Sequence, residues 1–349
     1  MSGGISQLVA QGVQDTHLTG DPQVSFFRSS FKRYTHFADV RNQQVIRGNP
    51  SKSGTSSVRF ERRGDLLNGV YLTRKNAGDI QNDVVSSISK VELYIGGQLI
   101  DSHDKDYLAT VWRSIEAPDT TRAAATTDFL PLHFFFCDNT ASSLPLVALQ
   151  YHDVEIKIYW SSTAMAATDS FECWANFVYL DTSEREWFNG NSHNMLIKQV
   201  QTSQPSNESV QELVFNHPVA YIATASNCAV QTSGTPPTDI GVDITKTKML
   251  MKINGTDLGE PMEITPHFNK VPMYYNTKTA LAQTNPLFLI SFANDLSKYQ
   301  PTGSLNFSRL DSARLISQDS SKVFDEKIYA VNYNVLKIQQ GMGGLMFSN

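Results

Sequence analysis

The side chains best suited to chemistry are eight histidines and the carboxylates near them. A metal centre on a β-sandwich needs two or three histidines and a carboxylate on one cavity wall, and His133, His152 and Glu155 are the candidates close in sequence. His152 and Glu155 are three positions apart in an alternating stretch, so they project to opposite faces of one strand and cannot chelate one ion. These histidines, with His17, His36, His103, His193, His217 and His267, read as solvent-facing or hydrogen-bonded groups. Asp101-Ser102-His103-Asp104-Lys105-Asp106 has the carboxylate density of a calcium loop but lacks its glycine and its closing glutamate. Capping of a following helix by Asp104 explains it better.

Two basic clusters suggest anion binding. Arg59, Arg62 and Arg63 sit beside Glu61 and Asp65, which makes them a salt-bridged surface rather than a phosphate site. Arg28, Lys32 and Arg33 alternate with Phe26, Phe27, Phe31, Tyr34 and Phe37, as in a stacking platform for single-stranded nucleic acid. A strand with aromatics inward and cations outward has the same letters and is the reading adopted. A net charge of −5 argues against general nucleic-acid binding. The sequence has no phosphate loop, His-Glu-x-x-His, Gly-x-Ser-x-Gly or paired-cysteine zinc pattern. No catalytic, cofactor-binding or metal residue is assigned. Cys137, Cys173 and Cys228 read as reduced core thiols, and the sequons at Asn207, Asn254 and Asn306 carry little weight alone. The start of the chain lacks a secretory pattern and no stretch reaches the length of a membrane span, so a soluble protein made inside the cell is expected.

The elements that would hold these residues are strands. Aromatics are 10% of the chain, with 19 Phe and 13 Tyr, and short runs of alternating polarity recur throughout. Residues 1–22 read as an arm in which Ile5, Leu8, Val9 and Val13 form an apolar helical stripe ended by Gly20-Asp21-Pro22. Strands are expected at Val24–Phe37, Val40–Ile46, Ser57–Arg62, Val70–Arg74, Ile88–Ile100 with a Gly96-Gly97 hairpin, Leu130–Cys137, Leu149–Trp160 and Phe171–Leu180. A helix spans Asp104–Glu116, closed by Pro118, and a second follows Asp181. The Asn-, Ser- and Gln-rich residues 190–209 read as a linker. Beyond it, strands are expected at Val210–Phe215, Val219–Ala223, Lys248–Asn254, Leu287–Phe292, Ser304–Ile316 and Lys327–Ile338, with an exposed loop at Thr232–Pro237. Gly341–Phe347 reads as a flexible hinge with an apolar tip.

The chain also repeats itself. Ile95, Leu149 and Asn176 are answered by Ile253, Leu305 and Asn332 in similar phrases, at spacings of 158, 156 and 156 residues. A near-constant shift over three anchors indicates a duplicated domain. About eight short strands per copy fit an all-β chain of two tandem eight-stranded antiparallel jelly-roll sandwiches with short helical insertions: 23–189 and 210–349, the latter with the C-terminal tail. An immunoglobulin-like sandwich competes, but it needs fewer residues and, in true members, a Cys…Trp…Cys pattern. The Asp104–Glu116 helix is expected to have no counterpart after Gly255.

Several phrases carry a family resemblance. Gly3–Ala10, Leu18-Thr19-Gly20, Arg63-Gly64-Asp65-Leu66, Ile95-Gly96-Gly97-Gln98, Ala148–His152, Leu180-Asp181-Thr182 with Glu184-Arg185, Phe215–Pro218, Gln300–Gly303, Asn306–Arg309, Asn332–Leu336 and Gly341–Leu345 resemble, in order, the major capsid proteins of large eukaryotic DNA viruses, the algal-virus type in particular. The resemblance implies a non-enzymatic double jelly-roll protein without cofactor. It implies a homotrimer of pseudo-hexagonal outline tiling an icosahedral shell, assembled in the host cytoplasm. Its partners would be neighbouring capsomers, minor capsid proteins and, through the termini, an internal membrane layer, with no specific nucleic acid. The modest Asn227–Asp243 loop departs from the family in not supporting elaborate outer towers. A minor capsid or vertex protein, and a carbohydrate-binding or metal-dependent tandem jelly roll, are the alternatives.

Overall fold

The computed structural model describes residues 4, 8–10, 12–76, 79–80, 84–117, 129–162, 168–226, 230–232, 246–278 and 287–348. It divides into two units, residues 1–36 and 37–349. In the first, helix α1 (Thr16–Thr19) ends at Gly20, while Ile5 of the expected stripe lies outside the described residues. Residues 23–36 form no strand, contrary to expectation, and Phe26, Phe27 and Phe31 are exposed. Dense aromatics without strict alternation fix neither a face nor a register.

The second unit begins with β1 (Phe37–Gln44), β2 (Ile46–Arg47), β3 (Thr55–Arg59), β4 (Leu66–Asn76), β5 (Asp79–Ile80), β6 (Ile88–Ile95) and β7 (Gln98–Asp104). A π-turn (Tyr107–Val111) and helix α2 (Trp112–Ile115) lead to β8 (Leu130–Pro131), β9 (Leu144–Pro145), β10 (Val154–Trp160) and β11 (Asp169–Leu180). Helix α3 (Thr182–Gly190) precedes β12 (His193–Ser203), β13 (Val210–Glu212), β14 (Pro218–Thr224), β15 (Val230–Thr232), β16 (Lys248–Ile253), β17 (Thr256–Asp257) and β18 (Met262–Glu263). Then come α4 (Ile264–His267), α5 (Lys270–Asn276), β19 (Leu289–Ser291), β20 (Leu305–Asn306), β21 (Ala313–Ser317), β22 (Lys322–Phe324), β23 (Ile328–Gln339) and β24 (Met342–Leu345).

The pairings are antiparallel and build two jelly rolls. The first faces β1-β11-β4, with β5, β8 and β9 on β4, against β2-β3-β10-β6-β7. The second faces β12-β23-β14-β19, with β20 and β24 added, against β13-β21-β16-β17, with β18 on β16. Replacing β1, β11, β4, β3, β10 and β6 by β12, β23, β14, β13, β21 and β16 turns one strand order into the other, so the chain is a double jelly roll.

The duplication is therefore real, but its letter-level register holds only in part. The Ile95 and Ile253 anchors coincide, since each opens the hairpin that pairs it with Gln98 or Thr256. Leu305 instead occupies the place of Leu144, each lying opposite the same point of β14 or β4, Val219 or Leu67. Asn332 stands opposite Val219 where Phe177 stands opposite Leu67, one residue away from Asn176. Loop lengths differ between copies while the sheets do not, so letters drift where pairing is kept.

Other expectations are corrected. The supposed linker is mostly β12, paired with β23 from His193↔Ile338 to Ser203↔Ile328. Its polar composition misleads because Gln199 is buried and bonded, giving Nε2–H to the Ile100 carbonyl and accepting from Asn334 at 2.8 Å. Leu130–Cys137 pairs only through Leu130 and Pro131; Phe134, Phe135 and Phe136 turn into the core instead. Ser304–Ile316 is two strands separated by a turn at Phe307–Arg309. The tail is strand β24 on β23, not a hinge. Helices α4 and α5 follow β18 as α2 follows β7, so the first copy's helix has a counterpart after all. Pro118, Cys228, residues 233–237 of the expected exposed loop and nearly all of Asn227–Asp243 lie outside the described residues.

One apolar core runs through both jelly rolls. Val111, Ile115 and Phe134 of the first share a cluster with Ile197, Val331 and Leu336 of the second, while Val219, Ile222, Leu315 and Phe288 form a core of the second alone. Each such side chain contributes about 1.5–3 kcal/mol of burial, so the junction is held as a core is held.

Candidate assembly interface

The junction between the jelly rolls is where the polar groups of this chain converge. Glu116, at the end of α2, accepts from the Tyr221 hydroxyl at 2.6 Å, from Lys198 Nζ at 2.8 Å and from the Tyr107 hydroxyl at 3.4 Å. Lys198 and Tyr221 come from β12 and β14 of the second barrel, so this buried carboxylate ties the two together. Burial, the largest single effect, would lower the Lys198 ammonium, but the Glu116 charge and hydrogen bond, with smaller help from Tyr333 and Asp138, together outweigh it and hold the pKa above its ordinary value. Burial pushes the Tyr107 and Tyr221 phenols well above theirs, with the Glu116 charge adding to it. Beside this cluster, Asp101 accepts from the Val200 amide at 2.9 Å and pairs with His103 at 2.9 Å. A cavity of about 160 Å3 adjoins it, lined by Asp101, His103, Trp112, Lys198 and Tyr299.

A second contact joins the tail to the first barrel. His152 Nδ1 lies 2.8 Å from the Gly343 carbonyl and 3.2 Å from its amide; Tyr151 N–H donates to the Gly341 carbonyl at 2.9 Å; Leu345 N–H donates to Gln98 Oε1 at 3.2 Å. Three phrases of the sequence, Ile95–Gln98, Ala148–His152 and Gly341–Leu345, thus meet at one place. Two more meet where Arg185 grips Asp65 through two bonds of 2.9 and 3.0 Å while the Leu180 amide donates to the same carboxylate at 2.8 Å. The Phe215–Pro218 and Asn306–Arg309 phrases join where Ser308 Oγ accepts from His217 N–H at 2.8 Å and the His217 carbonyl accepts from Phe307 N–H at 3.0 Å.

The chemically suggestive residues stay apart. His133 pairs with Asp138 at 3.0 Å and stacks on Trp112, His152 holds the tail, and Glu155 lies on β10 opposite Arg59 and Tyr94. Among the described residues no group of three or more His, Cys, Asp and Glu could hold a metal ion. Asp104, expected to cap a helix, is drawn instead to Lys327 at 2.8 Å. Arg59 and Arg62 pair with Asp153, and Arg63 with Glu61 at 2.9 Å, all on the surface. Cys137 and Cys173 are free thiols; burial raises both, Cys173 to about 12, which makes them poor nucleophiles. Asn254 and Asn306 spend their side-chain oxygens on the amides of Asp311 and Ser312 and of Ser308. Sequence reasoning missed Glu116, Lys198 and Tyr221, whose partnership appears only when the barrels are brought together.

What remains is a two-barrel body with a locked junction, and its relatives are shell proteins. Residues 25–181 match the major capsid protein N-terminus family and residues 184–344 the large eukaryotic DNA virus major capsid protein family. Over the full length of both chains the sequence is 32% identical to the major capsid protein of Pyramimonas orientalis virus and 31% identical to that of Paramecium bursaria Chlorella virus 1. The chain belongs to the major capsid proteins of large eukaryotic DNA viruses. PBCV-1 VP54 superposes with a TM-score of 0.76 at 27% identity, over 93% of this chain and 100% of that one. The Faustovirus major capsid protein has the same fold, with a TM-score of 0.67 at 10% identity and 95% of each chain covered. The two alignments to capsid protein relatives span 406 and 447 positions against 349 residues here, so each relative carries segments that have no counterpart in this sequence. The second family match begins at 184, before β12, in keeping with that strand's place in the second barrel.

Proposed function

We propose that this chain is the repeating, non-enzymatic building block of an icosahedral virus shell. It assembles as a homotrimer of pseudo-hexagonal outline that packs against neighbouring capsomers and minor capsid proteins, with assembly in the host cytoplasm before the subunit takes its place in the virion. The observation that carries this reading is the matched strand order of two barrels joined through a buried core. Three such chains offer six similar faces, which is what a threefold object needs to occupy a sixfold lattice position. Light scattering on the purified chain is expected to give the mass of three chains; a stable monomer at micromolar concentration would overturn the trimer.

A further inference from the structure

Three Asn-Gly pairs occur in the chain: Asn68-Gly69, Asn189-Gly190 and Asn254-Gly255. Such a pair holds the parts of a reaction with itself. The glycine nitrogen attacks the asparagine side-chain carbonyl carbon and closes a five-membered ring, and no Cβ on the glycine crowds the approach. The rate depends on what holds the attacking amide, the carbonyl oxygen and the departing nitrogen.

The three pairs differ in these respects. Gly69 lies within strand β4, opposite Asn176, and Gly190 ends helix α3. Backbone engaged in a sheet or a helix must give up its bonds before its nitrogen can turn on a side chain. Asn254 and Gly255 instead form the exposed two-residue turn between β16 and β17, with φ of +49° and +79°. The Gly255 N–H has no acceptor among the described residues, and a Cβ on Gly255 would meet nothing within 4 Å, so the space around the amide is open.

The Asn254 carbonyl oxygen is held from the opposite side. Oδ1 accepts from the Asp311 N–H at 2.9 Å and from the Ser312 N–H at 3.1 Å. The Asn254 N–H donates in turn to the Ser312 carbonyl at 2.8 Å, which fixes the turn against the segment leading into β21. Two backbone amides on one carbonyl oxygen form an oxyanion hole: they polarise the carbonyl and already stand where attack would place negative charge.

We propose that Asn254 is a self-modification site, at which the folded second barrel promotes loss of the side-chain amide. The Gly255 nitrogen gives its proton to solvent base and bonds to Asn254 Cγ; the Cγ–Nδ2 bond breaks, and Nδ2 takes a proton from water and leaves as ammonia. One water then opens the succinimide, at the side-chain carbonyl to give aspartate or at the main-chain carbonyl to give isoaspartate. The balance is one water consumed and one ammonia released, with no change of oxidation state. Aspartate keeps both bonds to residues 311 and 312, now charge-assisted. Isoaspartate adds a methylene to the backbone of a hairpin whose register is set by its two-residue turn, which disturbs the Ile253↔Thr256 and Lys252↔Asp257 pairs. The site records the age of a subunit as one new negative charge and, in the isoaspartate form, a loosened hairpin.

The test uses the full chain at mildly alkaline pH, folded and in denaturing guanidinium chloride. Peptides are mapped by mass spectrometry for the amide-to-acid increment, and isoaspartate is read by enzymatic methylation. Residue 254 is expected to convert first of the three, with ammonia released in step. Conversion there is expected to be about tenfold or more faster in the folded chain than in the unfolded one, a modest share of what oxyanion donors give enzymes. Asn254→Asp supplies the aspartate product and is expected to melt like wild type, while Asn254→Gln, which must close a six-membered ring, is expected to release no ammonia from this position. Conversion at residue 254 as fast or faster in the unfolded chain would overturn the proposal. So would conversion of Asn68 or Asn189 ahead of it in the folded chain.

Discussion

Glu116 is the residue on which the junction depends most. Its side chain is 9% exposed and that of its partner Lys198 21%, so neither charge can turn to water if the other is removed. Breaking a buried pair from one side leaves an uncompensated charge, which costs about 3–5 kcal/mol. Glu116→Ala is expected to lose stability of that order in denaturant unfolding, and Glu116→Gln less, since an amide oxygen still accepts from Tyr221. Equal losses for the two would show that the bond to Tyr221 contributes nothing beyond the charge, and no loss for Glu116→Gln would show that the charge contributes nothing. None of this was legible in the sequence. A glutamate at a helix end and a lysine in a polar stretch 82 positions on read as solvated groups, because pattern reports local periodicity and this pair is tertiary. The strand alternation expected of His152 and Glu155 does not apply, since β10 begins at Val154 and His152 precedes it, held against the tail at Gly343.

Among the elements, the β6–β7 hairpin at Gly96-Gly97 was the feature most plainly written. Turn chemistry is local, and both glycines have positive φ, +58° and +83°. Their surroundings differ. A Cβ on Gly97 would meet nothing within 4 Å, whereas one on Gly96 would stand 2.3–2.7 Å from the His152 ring, itself held by Gly343 in β24. Both alanine substitutions carry the backbone penalty of roughly 1 kcal/mol, but Gly96→Ala must also displace His152 and loosen the tail. Thermal melting is expected to fall clearly further for Gly96→Ala than for Gly97→Ala, and a His152→Ala background should erase most of the difference. Equal shifts in the two single variants would mean that the tail contact carries no stability. Elements whose boundaries depend on tertiary partners were read less well. Residues 193–203 were hidden by polar letters satisfied across the junction, and Leu130–Cys137 by an aromatic run that turns instead of pairing.

For the molecule as a whole, ionisation sets the range over which the two barrels behave as one body. Burial would raise the Glu92 carboxyl, but Lys90, Tyr159 and Tyr94 bonds outweigh it; the Lys75 bond lowers Glu172 against a smaller burial effect. Both lie below their ordinary 4.5, so their stabilisation is complete above that value and is lost as pH falls through the folded pKa. Lys198, Tyr107 and Tyr221 lie above their ordinary 10.5, 10.0 and 10.0, so theirs is complete below those values and is lost as pH rises. Melting temperature is therefore expected to fall on both sides of a plateau between about pH 5 and pH 10. Glu116 separates the junction from the rest of the alkaline loss. Without its carboxylate, burial, the largest single effect on Lys198, is opposed only by the smaller influences of Tyr333 and Asp138, so the lysine loses most of what holds its pKa up. The stability gap between wild type and Glu116→Gln is then largest near neutrality and narrows as pH rises past 10.5, where the lysine no longer needs a partner. A gap that stays constant from pH 7 to pH 11 would assign the alkaline weakness to tyrosines elsewhere and remove Lys198 from the lock between the barrels.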